Sequence, residues 1–277
     1  FVVKIKIIMK VCILGSGLVS LSLAKALINL KINVDIFSNS KIKKQNKIRT
    51  IGISKNNVDF FNKNILDIDK ILWNINKIEI FNDKVIKEKL ISFKNENKPL
   101  FSLIKNHELF NLLLTKLNKS KFSSFKRGKQ DLVSIENKYN LIINCELDNR
   151  LTKKYFHKKI YKDYQSYAHT TIIKHQSLSN NCARQIFTKN GPLAFLPLSN
   201  NETSIVYSAR GEKNTDLKKI IDKYNFKYQI SKMREINSFK LISNNLRNYH
   251  YKNILAFGDL LHKIHPLAGQ GFNMSIR

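Results

Sequence analysis

The chain has 277 residues, 43% of them hydrophobic and 25% charged, with a formal charge of +29. That composition supports a sizeable core, excludes a disordered chain, and allows one large domain or two interlocked ones. The lysines are spread along the whole chain among asparagines and isoleucines, which argues for loose attraction to anions and against nucleic-acid binding as the main function.

Cys12, Cys145 and Cys182 have neither disulfide nor metal spacing, which suits a reducing compartment. No apolar run is long enough to span a bilayer, and no signal peptide is visible. Residues 1–8 precede a natural start at Met9 and read as an extension or a gene-call artefact.

Lys10-Val11-Cys12-Ile13-Leu14 reads as a short buried strand that feeds directly into Gly15-Ser16-Gly17-Leu18. Leu18, Leu21, Leu23, Ala24, Leu27 and Ile28 then recur at helical spacing. Strand, glycine turn and helix together form the context of a dinucleotide site. Gly15 would allow the tight turn and Gly17 the approach of a pyrophosphate, while Ser20 stands where a third glycine usually lies.

A second strand, Asn33–Phe37, ends at Ser38, where an acidic residue normally holds the adenosine ribose. A hydroxyl keeps one hydrogen bond there but loses the bidentate carboxylate contact. Alone, the segment reads equally as an ordinary strand–helix–strand unit. Ile78–Phe81 and Leu90–Phe93 are predicted strands, with Asp83-Lys84 in the turn between them. Tyr139–Cys145 reads as a buried strand, Thr170–Ile173 and Ser204–Tyr207 as sheet, and residues 215–235 as an amphipathic helix.

Ile254-Leu255-Ala256-Phe257 form a last buried strand that stops at Gly258-Asp259 and runs on through Leu260-Leu261-His262-Lys263-Ile264-His265-Pro266-Leu267-Ala268-Gly269-Gln270-Gly271-Phe272-Asn273. Asp259 could accept hydrogen bonds from a sugar or ribityl hydroxyl. Pro266 would fix a turn, and Gly269 and Gly271 let backbone come close to a flat ligand. Beyond Gly271 the chain reads as helix, with its N-terminus facing the site. Asp259, His262 and His265, spaced by threes, could instead ligate a metal from one helical face, but Pro266 and the glycines argue against a continuous helix.

This last segment resembles the second FAD-binding motif, G-D-x-x-H-x-x-H-P-x-x-G-Q-G-x-N, of the flavoprotein aromatic hydroxylases, and most closely that of the ubiquinone-biosynthesis hydroxylases. The likeness covers nearly the whole chain and is strongest at residues 11–37, 183–198 and 254–275. It implies an α/β fold in which a dinucleotide-binding, Rossmann-like FAD domain is interleaved with a smaller substrate domain on a mostly antiparallel sheet. The FAD domain would comprise residues 9–75, 100–152 and 252–277, and the substrate domain residues 76–99 and 153–251.

By the same likeness Arg49, opening Arg49-Thr50-Ile51-Gly52-Ile53-Ser54, would lie near the flavin diphosphate. Asn106 would cap a helix or touch the ribityl side, and Gly191-Pro192 would turn the chain toward the flavin. The implied cofactor-binding set is Gly15, Ser16, Gly17, Leu18, Ser38, Arg49, Asn106, Asp259, Pro266, Gly269, Gln270, Gly271 and Asn273. No protein nucleophile or metal is implied, since the flavin carries the chemistry. The family's A-D-G-x-x-S motif is altered to Cys145-Glu146-Leu147-Asp148-Asn149-Arg150, which keeps an acid but replaces the glycine with Leu147 and narrows the approach for a nicotinamide.

The resemblance further implies NAD(P)H and O₂ as co-substrates and a polyprenylated phenol as the molecule hydroxylated. Location would be cytoplasmic and peripheral to the inner membrane, with contact to other ubiquinone-biosynthesis proteins. Family members continue past the position of Arg277 with more helix, so a shortened chain with weak flavin retention is expected. A polyprenyl reductase of the same fold and a non-catalytic flavoprotein are the competing readings.

Overall fold

A strand with apolar side chains on both faces needs cover on both sides, and Val11, Cys12 and Ile13 are fully buried in β1 (Lys10–Leu14). The structure, a computed structural model, describes residues 9–38, 47–83, 85–127, 132–211, 214–264 and 270–276. From β1 the chain passes through Gly15 into α1 (Leu18–Asn29) and returns as β2 (Asn33–Ser38). β3 (Thr50–Ser54) leads into α2 (Lys55–Asn64), followed by β4 (Leu72–Ile75), β5 (Lys77–Asn82) and β6 (Val85–Lys94).

β7 (Phe101–Lys105) runs into α3 (Asn106–Asn118), and β8 (Ser123–Arg127), α4 (Leu132–Lys138), β9 (Leu141–Asn144) and α5 (Arg150–Tyr155) follow. The second half holds the long β10 (Lys159–His175), β11 (Cys182–Thr188), β12 (Gly191–Pro197), β13 (Glu202–Arg210), α6 (Leu217–Tyr224), β14 (Ile230–Met233) and β15 (Asn237–Leu246). Short strands β16 (His250–Tyr251), β17 (Ile254–Ala256) and β18 (His262–Lys263) precede α7 (Gln270–Ile276).

One sheet has the order β16-β17-β9-β1-β2-β8 and is parallel except for the β16–β17 pair. Leu21, Ala24 and Ile28, three and four residues apart on α1, share a core with Leu109, Phe110, Leu113 and Leu117 of α3 on one face of this sheet. Cys12, Leu14, Phe37 and Ile142 face the other way, against Ile135, Leu151 and Phe156.

The larger sheet has the order β18-β15-β10-β13-β12-β11-β5-β6, with β14 also on β10, and every pair is antiparallel except β11–β5. β3, β7 and β4 make a third, small sheet. The expected α/β architecture, with a mostly antiparallel second sheet, is the one observed.

Several boundaries differ from expectation. Residues 215–235 are not one helix: α6 stops at Tyr224, and Ile230–Met233 is a strand on β10. Leu217, Ile221 and Tyr224 do bury one stripe, but Asn225 bends the chain by accepting from the backbone N–H of Tyr228 at 2.9 Å. β18 pairs with β15 in the large sheet, although the second flavin motif around it was assigned to the dinucleotide half. His250–Tyr251 joins the parallel sheet instead of the large one.

The parallel contact between β5 and β11 is reinforced by charge. Glu79, buried between those strands, meets Lys77 at 2.7 Å, Lys89 at 3.1 Å and Arg184 at 3.1 Å. Burial disfavours the carboxylate, yet the hydrogen bonds from Lys77 and Lys89 and the charge of Arg184 outweigh it and hold the group down at about 2. A depressed folded-state value means that this stabilisation is present above the ordinary glutamate range and is lost as pH falls toward 2. Acid titrations of unfolding should therefore show Glu79→Gln less stable at neutral pH, with a flatter acid limb than the parent. Parallel acid limbs would remove Glu79 from the account.

Candidate functional site

Both glycine-bearing segments leave the same edge of the parallel sheet. β1, β9 and β17 run parallel, with Leu14 beside Asn144 and Ala256 beside Asn144 in register, so Gly15, Cys145 and Phe257 all emerge at one carboxyl edge. Backbone bonds bind these ends together: Gly15 donates to Phe37 O, Cys145 to Leu14 O and Phe257 to Asn144 O, each at 2.9 Å. Ligands of open α/β sheets bind outside this edge.

The turn geometry is specific. Gly15 has φ +115°, which disfavours any side chain, and a Cβ there would come within 3.4 Å of Ser20 and Cys145. Ser20, buried in α1, is the small residue that permits this close packing. Gly258 has φ +64°, and a Cβ on it would meet Val19 Cγ1 at 3.1 Å. The first turn of α1 thus lies close to the turn that carries Asp259, bringing together segments far apart in sequence. Burial pushes the Cys145 thiol up to about 12, and the charges of Glu146 and Asp259 add to the effect against a Ser20 hydrogen bond. Asp259, the residue after Gly258, is exposed.

Gly17 differs from its neighbours. Its φ of −73° is open to any residue, and a Cβ there meets nothing within 4 Å. The protein leaves free space at this position, at the N-terminus of a twelve-residue helix with no acidic residue in its first turn and no side-chain cap. Helix N–H groups open to such a space favour an anion. Leu18 packs partly against the core behind the loop, and Ser16 Oγ donates to Ser38 Oγ at 3.1 Å across the end of β2.

Asn106 supplies a further sign of a missing partner. It is the first residue of α3, not its cap, since Lys105 holds the cap position. Its backbone N–H donates to Arg49 O at 3.0 Å, and its side chain is buried with Oδ1 unpartnered. A buried acceptor without a donor costs about 1–3 kcal/mol. A hydroxyl-bearing ligand would relieve it. Arg49 itself is exposed, beside Thr50, whose hydroxyl meets Ser204 Oγ of the large sheet at 3.1 Å.

The C-terminal motif is only partly described. Pro266 and Gly269 lie outside the described residues, as does His265, and of Gln270 the structure gives only its place at the start of α7. Gly271 lies inside that helix, not before it, and a Cβ there would meet nothing within 4 Å. Asn273 is spent on the protein: its Oδ1 accepts from Ser54 N at 3.1 Å and Asn57 Nδ2 at 2.8 Å, and its Nδ2 donates to Gly52 O at 2.7 Å. Its side chain is a strap from α7 to β3 and α2. The metal alternative loses its premise, because residues 258–260 are a short 3-10 turn and 262–263 a strand, so no single helical face exists. Among the described residues no group of His, Cys, Asp or Glu could hold a metal ion.

An ionic bridge between β7 and the large sheet has no signal in the residue pattern. Lys105 Nζ lies 2.8 Å from Glu202 Oε2, and Arg234 lies 2.7 Å from Glu202 Oε1. Glu202 is held below the usual range despite burial, because Lys105 and Arg234 share it. Beside them, burial lowers the pKa of His107, whose buried Nδ1 also lacks a partner.

Comparison with known proteins completes the picture. No family model matches the chain. It is 27% identical over 124 residues to ubiquinone hydroxylase UbiL of Rhodospirillum rubrum, covering 40% of this chain and 29% of that protein. It is 26% identical over 153 residues to human mitochondrial ubiquinone biosynthesis monooxygenase COQ6, covering 40% of this chain and 33% of that protein. The matches thus span about a third of these relatives' lengths.

In fold it resembles PqsL of Pseudomonas aeruginosa, solved as "a probable FAD-dependent monooxygenase", at TM-score 0.75 and 14% identity over 97% of this chain and 83% of that one. It likewise resembles p-nitrophenol 4-monooxygenase PnpA of Pseudomonas putida, at TM-score 0.75 and 12% identity over 97% and 77% of the two chains. The chain thus shares local sequence similarity with ubiquinone-biosynthesis hydroxylases and, over nearly its whole length, the fold of FAD-dependent monooxygenases.

Proposed function

We propose that this chain binds FAD along the carboxyl edge of its parallel sheet and hydroxylates an electron-rich phenol, using NAD(P)H and O₂. The observation that supports the reading is the close approach of Gly258 to Val19, in the first turn of the helix that follows the Gly15–Gly17 loop. The residues present fit the cofactor: space at Gly17 suits a pyrophosphate, and the unpartnered Asn106 Oδ1 suits a ribityl hydroxyl. Asp259 offers a carboxylate to the same chain of hydroxyls. When bound, FAD would accept hydride and supply activated oxygen.

What this chain contributes is placement and cover. β10 to β13 present one sheet face toward Thr50 and Ile48, where Ile172, Ala183 and Leu196 are packed. That face would exclude water from the reacting ring. The kinship to UbiL and COQ6 supports a polyprenylated phenol as substrate. No helix among the described residues is long and apolar enough to cross a membrane. Leu147 is half-exposed on the turn after β9 and is the residue we assign to narrowing nicotinamide approach.

The test is one assay that follows NAD(P)H consumption, peroxide release and hydroxylated polyprenylphenol together in the FAD-supplemented protein. Product formation with peroxide below NAD(P)H use supports the reading. NAD(P)H oxidation unaffected by any phenol, with no hydroxylated product, contradicts it.

A further inference from the structure

Positive charge is spread through the chain, yet one surface combines it with exposed rings. Residues 153–162 and 247–252 together contain seven lysines and arginines and no aspartate or glutamate. The fold brings these two segments side by side. Lys159 stands in register opposite Leu246, and Arg247 donates its backbone N–H to Lys158 O at 3.0 Å. Tyr155, at the end of α5, stacks on Tyr251 of β16 with ring centroids 4.0 Å apart. β16 is the outermost strand of the parallel sheet, so the surface runs along that sheet's edge.

The acids at its rim are already occupied. Asp148 meets Lys153 at 2.8 Å, Glu136 accepts from the Tyr155 hydroxyl at 3.2 Å, and Asp163 meets Lys240 at 2.6 Å. Lys154 and Lys252 hold their ammonium groups 4.9 and 5.5 Å from the ring centroids of Tyr155 and Tyr251. Between the cations stand apolar side chains that no core takes up: Ile160 is 56% exposed, Tyr161 54% and Tyr249 53%.

We infer that this edge docks on an anionic lipid bilayer. Lysine and arginine heads bind lipid phosphates while their stems lie along apolar surface, and tyrosine rings settle at headgroup depth with the hydroxyl toward water. A nucleic acid would use the same cations and could stack bases on the rings, but it offers nothing to an exposed isoleucine. A bilayer takes the charged, aromatic and aliphatic groups together. The inference deepens the reading of a polyprenylated phenol as substrate, because such a molecule resides in a bilayer. Vesicle binding is measured without that substrate, so either reading can fail alone.

The experiment is sedimentation of the full chain with vesicles of phosphatidylcholine and of phosphatidylcholine mixed with phosphatidylglycerol, with single-stranded RNA titrated at the same salt. The mixed vesicles should bind roughly tenfold more tightly than the neutral ones, and salt should weaken that binding. Lys158→Gln, Arg247→Gln and Lys252→Gln together should lower the affinity for mixed vesicles roughly tenfold. Lys119→Gln, Lys126→Gln and Arg127→Gln remove equal charge on or beside β8, at the opposite edge of the same sheet, and should change it less than about twofold. Ile160→Ser with Tyr249→Ser keeps every charge and should still weaken binding roughly fivefold. Each substituted side chain is exposed, so the fold is kept.

Absent or equal binding to the two vesicle types, equal losses in the two charge variants, or no effect of the Ile160 and Tyr249 changes overturns the inference while the FAD reading stands. RNA binding tighter than vesicle binding also overturns it and makes this edge a nucleic-acid surface.

Discussion

Replacing Gly17 with valine should leave the fold intact and abolish flavin retention. The two halves of that expectation come from one observation: the position has an extended backbone and free space around a built Cβ. Valine tolerates that conformation and clashes with nothing in the protein, so unfolding stability should stay within about 0.5 kcal/mol of the parent. Its two methyls would fill the volume that a pyrophosphate needs at the head of α1. FAD affinity should then fall roughly a hundredfold or more, equivalent to about 2.8 kcal/mol. Flavin content after purification and the urea midpoint check the two parts together. Unchanged flavin content in Gly17→Val would remove this loop from the site, while a lowered midpoint would show that the space is structural.

Gly191→Ala should do the reverse and damage the fold. Gly191 opens β12 at φ +143°, and a Cβ built on it lies 1.8 Å from the backbone oxygen of Ser208 on β13. No side-chain rotation relieves a clash with backbone. Either the β11–β12 hairpin lifts away from β13 or the strand register shifts, and both break the ladder that forms the face opposite Thr50. The cost should be about 4 kcal/mol or more.

Gly211→Ala is the control, since it too has positive φ, +73°, but open space at Cβ. That variant should lose only about 1 kcal/mol. Equal losses in the two would mean that backbone conformation, not the Ser208 contact, sets the cost.

Much of this was legible in the residues because the signals were local. The run Val11–Leu14, the glycines that follow and the helical spacing of Leu21, Ala24 and Ile28 specify strand, turn and helix within one stretch. The same holds for Ile254–Ala256 and Gly258. Long-range partners were not legible. Nothing in Asn273 shows that its amide is consumed by Gly52, Ser54 and Asn57, more than two hundred residues earlier.

Likewise, Lys105, Glu202 and Arg234 are ordinary charges until the fold brings them together. The error over residues 215–235 had a local cause. Leu217 and Ile221 keep helical spacing, but the Asn225 turn ends the helix and the strand after it is set by pairing with β10. Tertiary pairing outweighed propensity there.

The central claim is that FAD, through both its flavin and its adenosine, lies along the edge where Gly15, Gly17 and Asp259 meet. Its most direct test is titration of the purified chain with FAD and, separately, with FMN, followed by the visible spectrum of the flavin. The account predicts saturable one-to-one FAD binding with a perturbed spectrum, weak in absolute terms, and still weaker binding of FMN, which lacks the pyrophosphate and adenosine. FMN binding as tightly as FAD, or an FAD spectrum unchanged by the protein, would contradict it.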